Sequence, residues 1–279
     1  MKIPLAYCHH KSIYCYAGKT ALITGASSGI GREFARQLAA RGMHLILVAR
    51  REEKILELAL ELSKKHDILA HPLPTDLSRS GASQHIFDRC QEHDLQVDLL
   101  INNAGFGFFG DFEDISTQRC EEMIQVNCTA MCEMALVFLP AMLKRGQGAI
   151  INTASIAAFQ PTPWLSIYGA TKAFVLSLSE SLWALYRNRG IRVTALCPGM
   201  VDTGFVAATQ SNMQDVRFLR KMLSVERVVR EGLRAMERGR PSIVNGRFNS
   251  LLTFSTRLGS RGLVARISEY ILRPPPDKI

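Results

Sequence analysis

A chain of 279 residues with 47% hydrophobic and 21% charged side chains is long enough to bury a large core, which excludes a disordered or disulfide-stapled miniature protein. No uninterrupted apolar run approaches the ~18 residues of a membrane span, so a soluble protein is expected. The formal charge of +9 is unevenly placed: residues 1–200 carry 20 basic and 18 acidic side chains, residues 201–279 carry 14 and 7.

Residues 1–17 read as a short polar extension. Lys2, Pro4 and Tyr7 interrupt any apolar core of a secretory signal, which makes the cytoplasm the expected location. Cys8-His9-His10 lacks a second paired cluster, so no metal site is expected, and seven cysteines without a CxxC pair suit a reducing compartment. From Gly18 short β-rich runs alternate with longer helical segments, the pattern of βαβ units and a parallel sheet covered on both faces. The predicted strands are Thr20–Thr24, His44–Ala49, Leu69–Pro72, Leu99–Asn102, Gly148–Thr153, Arg192–Cys197 and a weaker Ser242–Val244. The predicted helices are Ile30–Arg41, Arg51–Lys65, Gly81–His93, Thr117–Lys144 and Tyr168–Asn188. No repeat or linker divides the chain. The expected fold class is α/β: one doubly wound parallel sheet over residues 18–248 with helices on both faces, a substrate-side segment at 200–224, and a basic amphipathic C-terminal helical extension at 249–279.

Directly after the first strand runs Thr24-Gly25-Ala26-Ser27-Ser28-Gly29-Ile30-Gly31. Such a loop turns tightly, lets backbone approach a pyrophosphate and aims helix N–H groups at its charge. It lacks the Lys-Ser/Thr ending of a nucleotide-triphosphatase loop, which points to a dinucleotide. The second strand ends in Val48-Ala49-Arg50-Arg51. Without a carboxylate there to hold a ribose hydroxyl, and with an arginine fork suited to a phosphate, NADP(H) is favoured over NAD.

After the fifth strand come Ser155, then Tyr168, then Lys172 four residues on. Tyrosine and lysine at i and i+4 share a helix face, and a neighbouring ammonium is expected to draw the phenol below its ordinary pKa near 10. Tyr168 can then give or take a proton, while Ser155 orients a carbonyl or hydroxyl.

With TGASSGIG at 24–31, NNAG at 102–105, Ser155, YxxxK at 168–172 and PG at 198–199, the sequence from about Gly18 to Thr203 resembles the short-chain dehydrogenase/reductase family, whose fold is of the Rossmann type. The resemblance implies a tetrad of Asn127, Ser155, Tyr168 and Lys172, with Asn127 kinking its helix and binding a proton-relay water. It also implies dinucleotide contacts from Gly25, Ser27, Ser28, Gly29, Ile30, Gly31, Arg50, Arg51, Asp76, Leu77, Asn103, Ala104, Gly105, Tyr168 and Lys172, and from Pro198, Gly199, Val201 and Thr203 at the carboxamide. Family members are commonly homodimers or homotetramers.

The substrate walls read as apolar, with Ser155, Phe106, Trp164, Met200 and Phe205 as expected contacts, which suits an uncharged, greasy carbonyl or alcohol. The GFGFFGDF stretch resembles members acting on 3-oxoacyl chains, carried as thioesters, and on steroids. A 3-oxoacyl reductase is the first expectation and a steroid or xenobiotic carbonyl reductase the second. A dinucleotide sensor without turnover would be missing a tetrad residue, and the basic residues form no nucleic-acid motif. The tail spaces apolar residues helically around Arg257, Arg261, Arg266 and Arg273. It fits a helix packed over the pocket or against another subunit, and, as the less favoured reading, an anionic membrane surface.

Overall fold

The computed structural model describes residues 14–201 and 222–274. Its strands are β1 (Thr20–Thr24), β2 (His44–Ala49), β3 (Ala70–Pro74), β4 (Leu99–Asn102), β5 (Gly148–Thr153), β6 (Ile191–Cys197) and β7 (Ser242–Val244). They form one parallel sheet in the order β3-β2-β1-β4-β5-β6-β7. β4 and β5 are buried along their whole length, as inner parallel strands covered on both faces must be. β3 is an edge strand, half-exposed and starting one residue later than predicted. The edge tolerates Pro72 and Pro74, which have no N–H to donate to a further strand.

The helices are α1 (Gly29–Ala39), α2 (Glu52–His66), α3 (Ala82–Glu92), α4 (Thr117–Ile124), α5 (Ala130–Arg145), α6 (Ser166–Tyr186), α7 (Val225–Glu237), α8 (Arg247–Ser255) and α9 (Arg261–Leu272). Phe34 and Leu38 of α1, Ile55, Leu58 and Leu62 of α2, and Val228, Leu233 and Met236 of α7 pack on one face of the sheet. Ile86 of α3 and Met134, Phe138 and Met142 of α5 pack on the other. Connections therefore leave the sheet in opposite directions at β1 and β4, and the chain opens a crevice beyond the carboxyl ends of these strands.

Four expectations are corrected. The predicted Thr117–Lys144 helix is interrupted by a π-turn at Gln125–Thr129. An 18-residue window within Thr117–Arg145 is apolar enough to cross a bilayer, with mean hydropathy 1.6, yet the stretch carries core residues of the sheet. α7 was not predicted, although Ser224 caps it by accepting from the Arg227 N–H and its apolar residues recur at helical spacing. The tail holds two helices, begins at Arg247 rather than Asn249, and breaks at Leu258-Gly259, after which Ser260 accepts from the Leu263 N–H at 3.3 Å. Finally, the last residues of the N-terminal extension are not loose. Tyr14 is buried, meets Tyr16 edge-on at 4.8 Å and lies under Lys19. Cys8, His9 and His10 lie outside the described residues.

Candidate active site

The glycine loop joins β1 to α1 at the switch point. Gly25 and Gly29 adopt φ of +68° and +52°, which a side chain would strain. Gly31 has no such φ, but a Cβ there would fall 2.3 Å from the Gly25 carbonyl oxygen. Thr24 locks the two central strands: its Oγ1 accepts from the N–H groups of Asn103 (2.9 Å) and Ala104 (3.0 Å), and the Asn103 amide donates back to the Thr24 carbonyl at 3.1 Å. α1 has no acidic residue in its first turn, so its positive end offers anion-binding N–H groups. The Ser28 side chain makes no capping bond to α1. Ser27 and Ser28 instead accept from one Arg51 nitrogen at 2.8 and 2.9 Å, which fixes a guanidinium over the loop. Arg50 is exposed beside it. Burial pushes the Asp76 carboxyl up, but hydrogen bonds from the Ser78 N–H and hydroxyl, with the charges of Arg50 and Arg79, outweigh it and hold Asp76 below its ordinary range.

At the other end, β5 delivers Ser155 and the first turn of α6 delivers Tyr168, both buried. Ser155 Oγ accepts from the Ala157 N–H at 3.1 Å and is hydrogen-bonded to the tyrosine. Burial drives the Tyr168 phenol up to about 12, with only that hydrogen bond pulling it down. Burial also drives Lys172 down to about 8, against the opposing pull of Cys128 and Cys197. The expected lowering of the phenol by Lys172 is thus not met among the protein's own groups, because burial of the phenol dominates its shift. Lys172 Nζ donates to the Thr153 carbonyl at 2.8 Å and lies 5.6 Å from the tyrosine ring centre.

Asn127 sits buried in the π-turn. Its Oδ1 accepts from the Phe106 N–H at 3.1 Å, and its Nδ2 donates to the Phe106 carbonyl at 2.9 Å and to Thr171 Oγ1 at 3.0 Å. Both amide hydrogens are therefore committed to structure, leaving the second Oδ1 lone pair as the side-chain group able to take a water. A Cβ on Gly105 would lie 2.9 Å from that Oδ1 and 3.3 Å from Lys172 Nζ, so the glycine keeps Asn127 and Lys172 accessible to each other.

These residues surround one cleft of about 640 Å³, within the range of small-molecule sites. Gly25, Ser27–Ile30, Arg50, Arg51, Asp76, Leu77 and Asn103–Phe106 line it from one side; Ser155, Tyr168, Lys172 and Pro198–Val201 line the other. Gly31 and Asn127 are not on its surface but hold up residues that are. Trp164 is also absent from the lining: its indole donates to Asp111 at 3.1 Å. Thr203 and Phe205 lie outside the described residues. Glu122, Gln160, Thr162, Leu165 and Leu272 line the cleft without having been expected. Gln160 and Thr162 stood between the serine and the tyrosine and could have been inferred from that place, whereas nothing in the local sequence marks Leu272. Among the described residues no group of three His, Cys, Asp or Glu side chains could hold a metal.

The cradle fits a nicotinamide dinucleotide. Glycines occupy the points where a Cβ would collide, a helix N-terminus faces the cleft, and no carboxylate ends β2. A very-long-chain 3-oxoacyl-CoA reductase of Anas platyrhynchos is 35% identical over 193 residues, which is 67% of this chain and 61% of that protein; the match thus spans about three fifths of the relative's length. A short-chain dehydrogenase from Sphingobium yanoikuyae, solved in complex with NADPH, superposes with a TM-score of 0.77 at 33% identity, covering 86% of this chain and 94% of its own. A short-chain dehydrogenase/reductase from Burkholderia phymatum, solved with NAD, gives 0.78 at 28% identity, with 95% and 98% covered. The short chain dehydrogenase family model matches residues 19–214, the stretch that carries the glycine loop, the serine and the tyrosine–lysine pair, and the chain is a member of that family.

Proposed function

We propose that this chain is an NADP(H)-dependent oxidoreductase interconverting a carbonyl and a secondary alcohol on an apolar substrate, with a long 3-oxoacyl chain carried as a thioester as the substrate class. The observation that carries this reading is the hydrogen-bonded Ser155–Tyr168 pair in the wall of a cleft whose far end is the glycine cradle and whose near walls include Phe106, Leu165, Met200 and Leu272. The name of the duck relative supports the acyl substrate.

When bound, the nicotinamide supplies or accepts the hydride. Gly25 and Gly29–Ile30 would hold its pyrophosphate at the α1 N-terminus, and Tyr168 and Lys172 its nicotinamide-side ribose. Arg51, pinned by Ser27 and Ser28, and the neighbouring Arg50 supply two positive charges where a ribose phosphate would sit. Ser155 orients the substrate oxygen. Tyr168, held protonated by burial, donates to that oxygen during reduction. Lys172, brought within reach of neutrality by its desolvation, can pass a proton on, with a water on Asn127 Oδ1 as the source.

Turnover of long-chain 3-oxoacyl thioesters, steroid ketones and simple aromatic ketones, each with NADPH and NADH, tests the reading. Long acyl thioesters should be the best substrates and NADPH should be preferred by at least about tenfold in kcat/KM, worth ~1.4 kcal/mol. Preference for NADH would sink the arginine assignment. A steroid outperforming every thioester would move the substrate class, and no turnover at all would remove the enzymatic reading.

A further inference from the structure

The two C-terminal helices bury the wrong residues for a pair that only packs inward. The buried residue of α8 is Thr253 and that of α9 is Ser268, while Leu251, Phe254, Leu258, Leu263, Ile267 and Tyr270 are exposed, Leu258 and Tyr270 to 77% and 80%. Spacings of three and four residues set Leu263, Ile267 and Tyr270 along one side of α9, and Leu251 and Phe254 share a side of α8, with Leu258 in the turn beyond it. Arginines punctuate both stripes: Arg257 and Arg261 at the turn between the helices, Arg266 and Arg273 along α9, all exposed. Between Arg247 and Pro274 the sequence holds five arginines and one acid, Glu269, and that acid is bonded to Arg273 at 2.9 Å.

We propose that the outer face of α8–α9 docks in the surface of a bilayer carrying anionic headgroups, with the apolar stripes in the acyl boundary and the arginines among the phosphates. Helices of 9 and 12 residues are far short of the ~20 needed to span, so they lie in the plane of the interface. Charge decides against a second copy of this chain as the occupant. A two-fold contact places a patch against itself, and this patch would oppose one arginine row to another with a single acid per copy to offset them. An anionic surface complements all of them. Tyr270, with an apolar ring and a polar tip, is of the type that favours the headgroup level.

The docked face adjoins the cleft. Leu272 at the end of α9 lines it, and Asn249 of α8 sits against Gly199, where a Cβ would fall 2.4 Å from the Asn249 amide nitrogen. Docking would therefore bring the cleft close to the bilayer, a consequence that rests on the apolar-substrate reading; the docking itself does not.

Co-sedimentation of the full chain with phosphatidylcholine vesicles and with mixed phosphatidylcholine–phosphatidylglycerol vesicles tests this. The chain should bind the anionic vesicles at least about tenfold more tightly, with each arginine contributing roughly fivefold, and the preference should shrink with added salt. Leu263→Ser with Ile267→Ser should weaken binding by about tenfold or more, and Arg261→Gln with Arg266→Gln should remove most of the anionic preference. Circular dichroism and dinucleotide binding at the wild-type level would verify that each variant is folded. A wild-type chain that stays in solution with both vesicle types at low salt overturns the proposal, as do folded variants that pellet like wild type. If the chain ignores vesicles and the serine variant instead converts a dimer to a monomer in sedimentation velocity, the face belongs to a second copy and the proposal fails. Loss of the reductase reading would show as absent turnover and leave these results untouched.

Discussion

At the α1 end of the cleft, what meets a ligand is backbone, glycine and short hydroxyls, each held by a short-range bond: Thr24 on Asn103 and Ala104, Arg51 on Ser27 and Ser28. At the Tyr168 end the walls are large apolar side chains, Phe106, Leu165 and Met200, held by packing rather than by directed bonds. Hydrogen bonds and close backbone approaches tolerate little change, whereas apolar walls can exchange shape at modest cost. One end can therefore serve a fixed cofactor while the other is free to differ with the substrate. Tyr168 stands at the border. Tyr168→Phe keeps the ring and loses the hydroxyl, so turnover should fall by about a thousandfold or more, while dinucleotide affinity, followed by fluorescence titration, should change by less than about fivefold. Equal losses in both would mean that the two ends are not separable.

Gly31→Ala probes the rigid end alone. The new methyl would meet the Gly25 carbonyl oxygen at 2.3 Å, and because the neighbour is backbone the cost should be near the top of the overpacking range, about 3 kcal/mol. Gly81→Ala is the control. Its φ is +77° but nothing lies within 4 Å of the added carbon, so it should cost about 1 kcal/mol and leave dinucleotide binding unchanged. Urea unfolding and dinucleotide titration of the two variants separate crowding from backbone conformation; similar costs would argue that the loop can give way.

The same contrast explains what could be read in advance. β1, β2, β4 and β5 begin and end at the predicted residues, because buried parallel strands are short apolar runs closed by turn residues, a local signal; the half-buried edge strand β7 matches as well. The serine, tyrosine and lysine were legible for a related reason: their spacing along a strand end and a helix is itself the geometry. The resemblance implied a kink at Asn127, where the helix is interrupted; that the kink is a π-turn was not legible, since its periodicity differs from α-helix by one residue and Asn127 is held by partners 21 and 44 positions away. Nor was Leu272 in the cleft, which depends on where two tail helices come to rest. The direction in which Tyr168 is shifted differs from the expectation because pairing can be seen in sequence and desolvation cannot.

Lys172→Met tests that desolvation. In the folded protein Lys172 titrates at about 8 against an ordinary 10.5. Below pH 8 it is charged in both states and burying the charge costs on the order of 3 kcal/mol. From pH 8 to 10.5 the folded state sheds the proton first, and the cost is relieved. Methionine removes the charge but leaves the Thr153 carbonyl without its donor, which returns about 1 kcal/mol. The inactive variant should therefore be more stable than wild type by about 2 kcal/mol at pH 7, with the gap closing as pH rises toward 10.5. A gap that is constant with pH would show that the lysine is not charged and desolvated at neutrality.

The smallest effect is expected at Trp164, and it discriminates between the two ends most finely. Its φ of +61° is costly for a bulky residue. The position is held by two bonds that tie the loop before α6 to the loop after β4: the Gly110 N–H donates to the Trp164 carbonyl at 3.0 Å, and the indole donates to Asp111. Trp164→Phe keeps the backbone bond and an aromatic ring but removes the indole donor, a loss of about 1 kcal/mol for a partly exposed bond, or a Tm lower by roughly 2–4 °C for a chain of this size. Because the tie joins the substrate walls and touches nothing in the glycine cradle, KM for an apolar ketone should rise a few-fold with kcat held, and KM for the dinucleotide should not move. A change in the dinucleotide KM would mean that the soft end of the cleft is coupled to the rigid one.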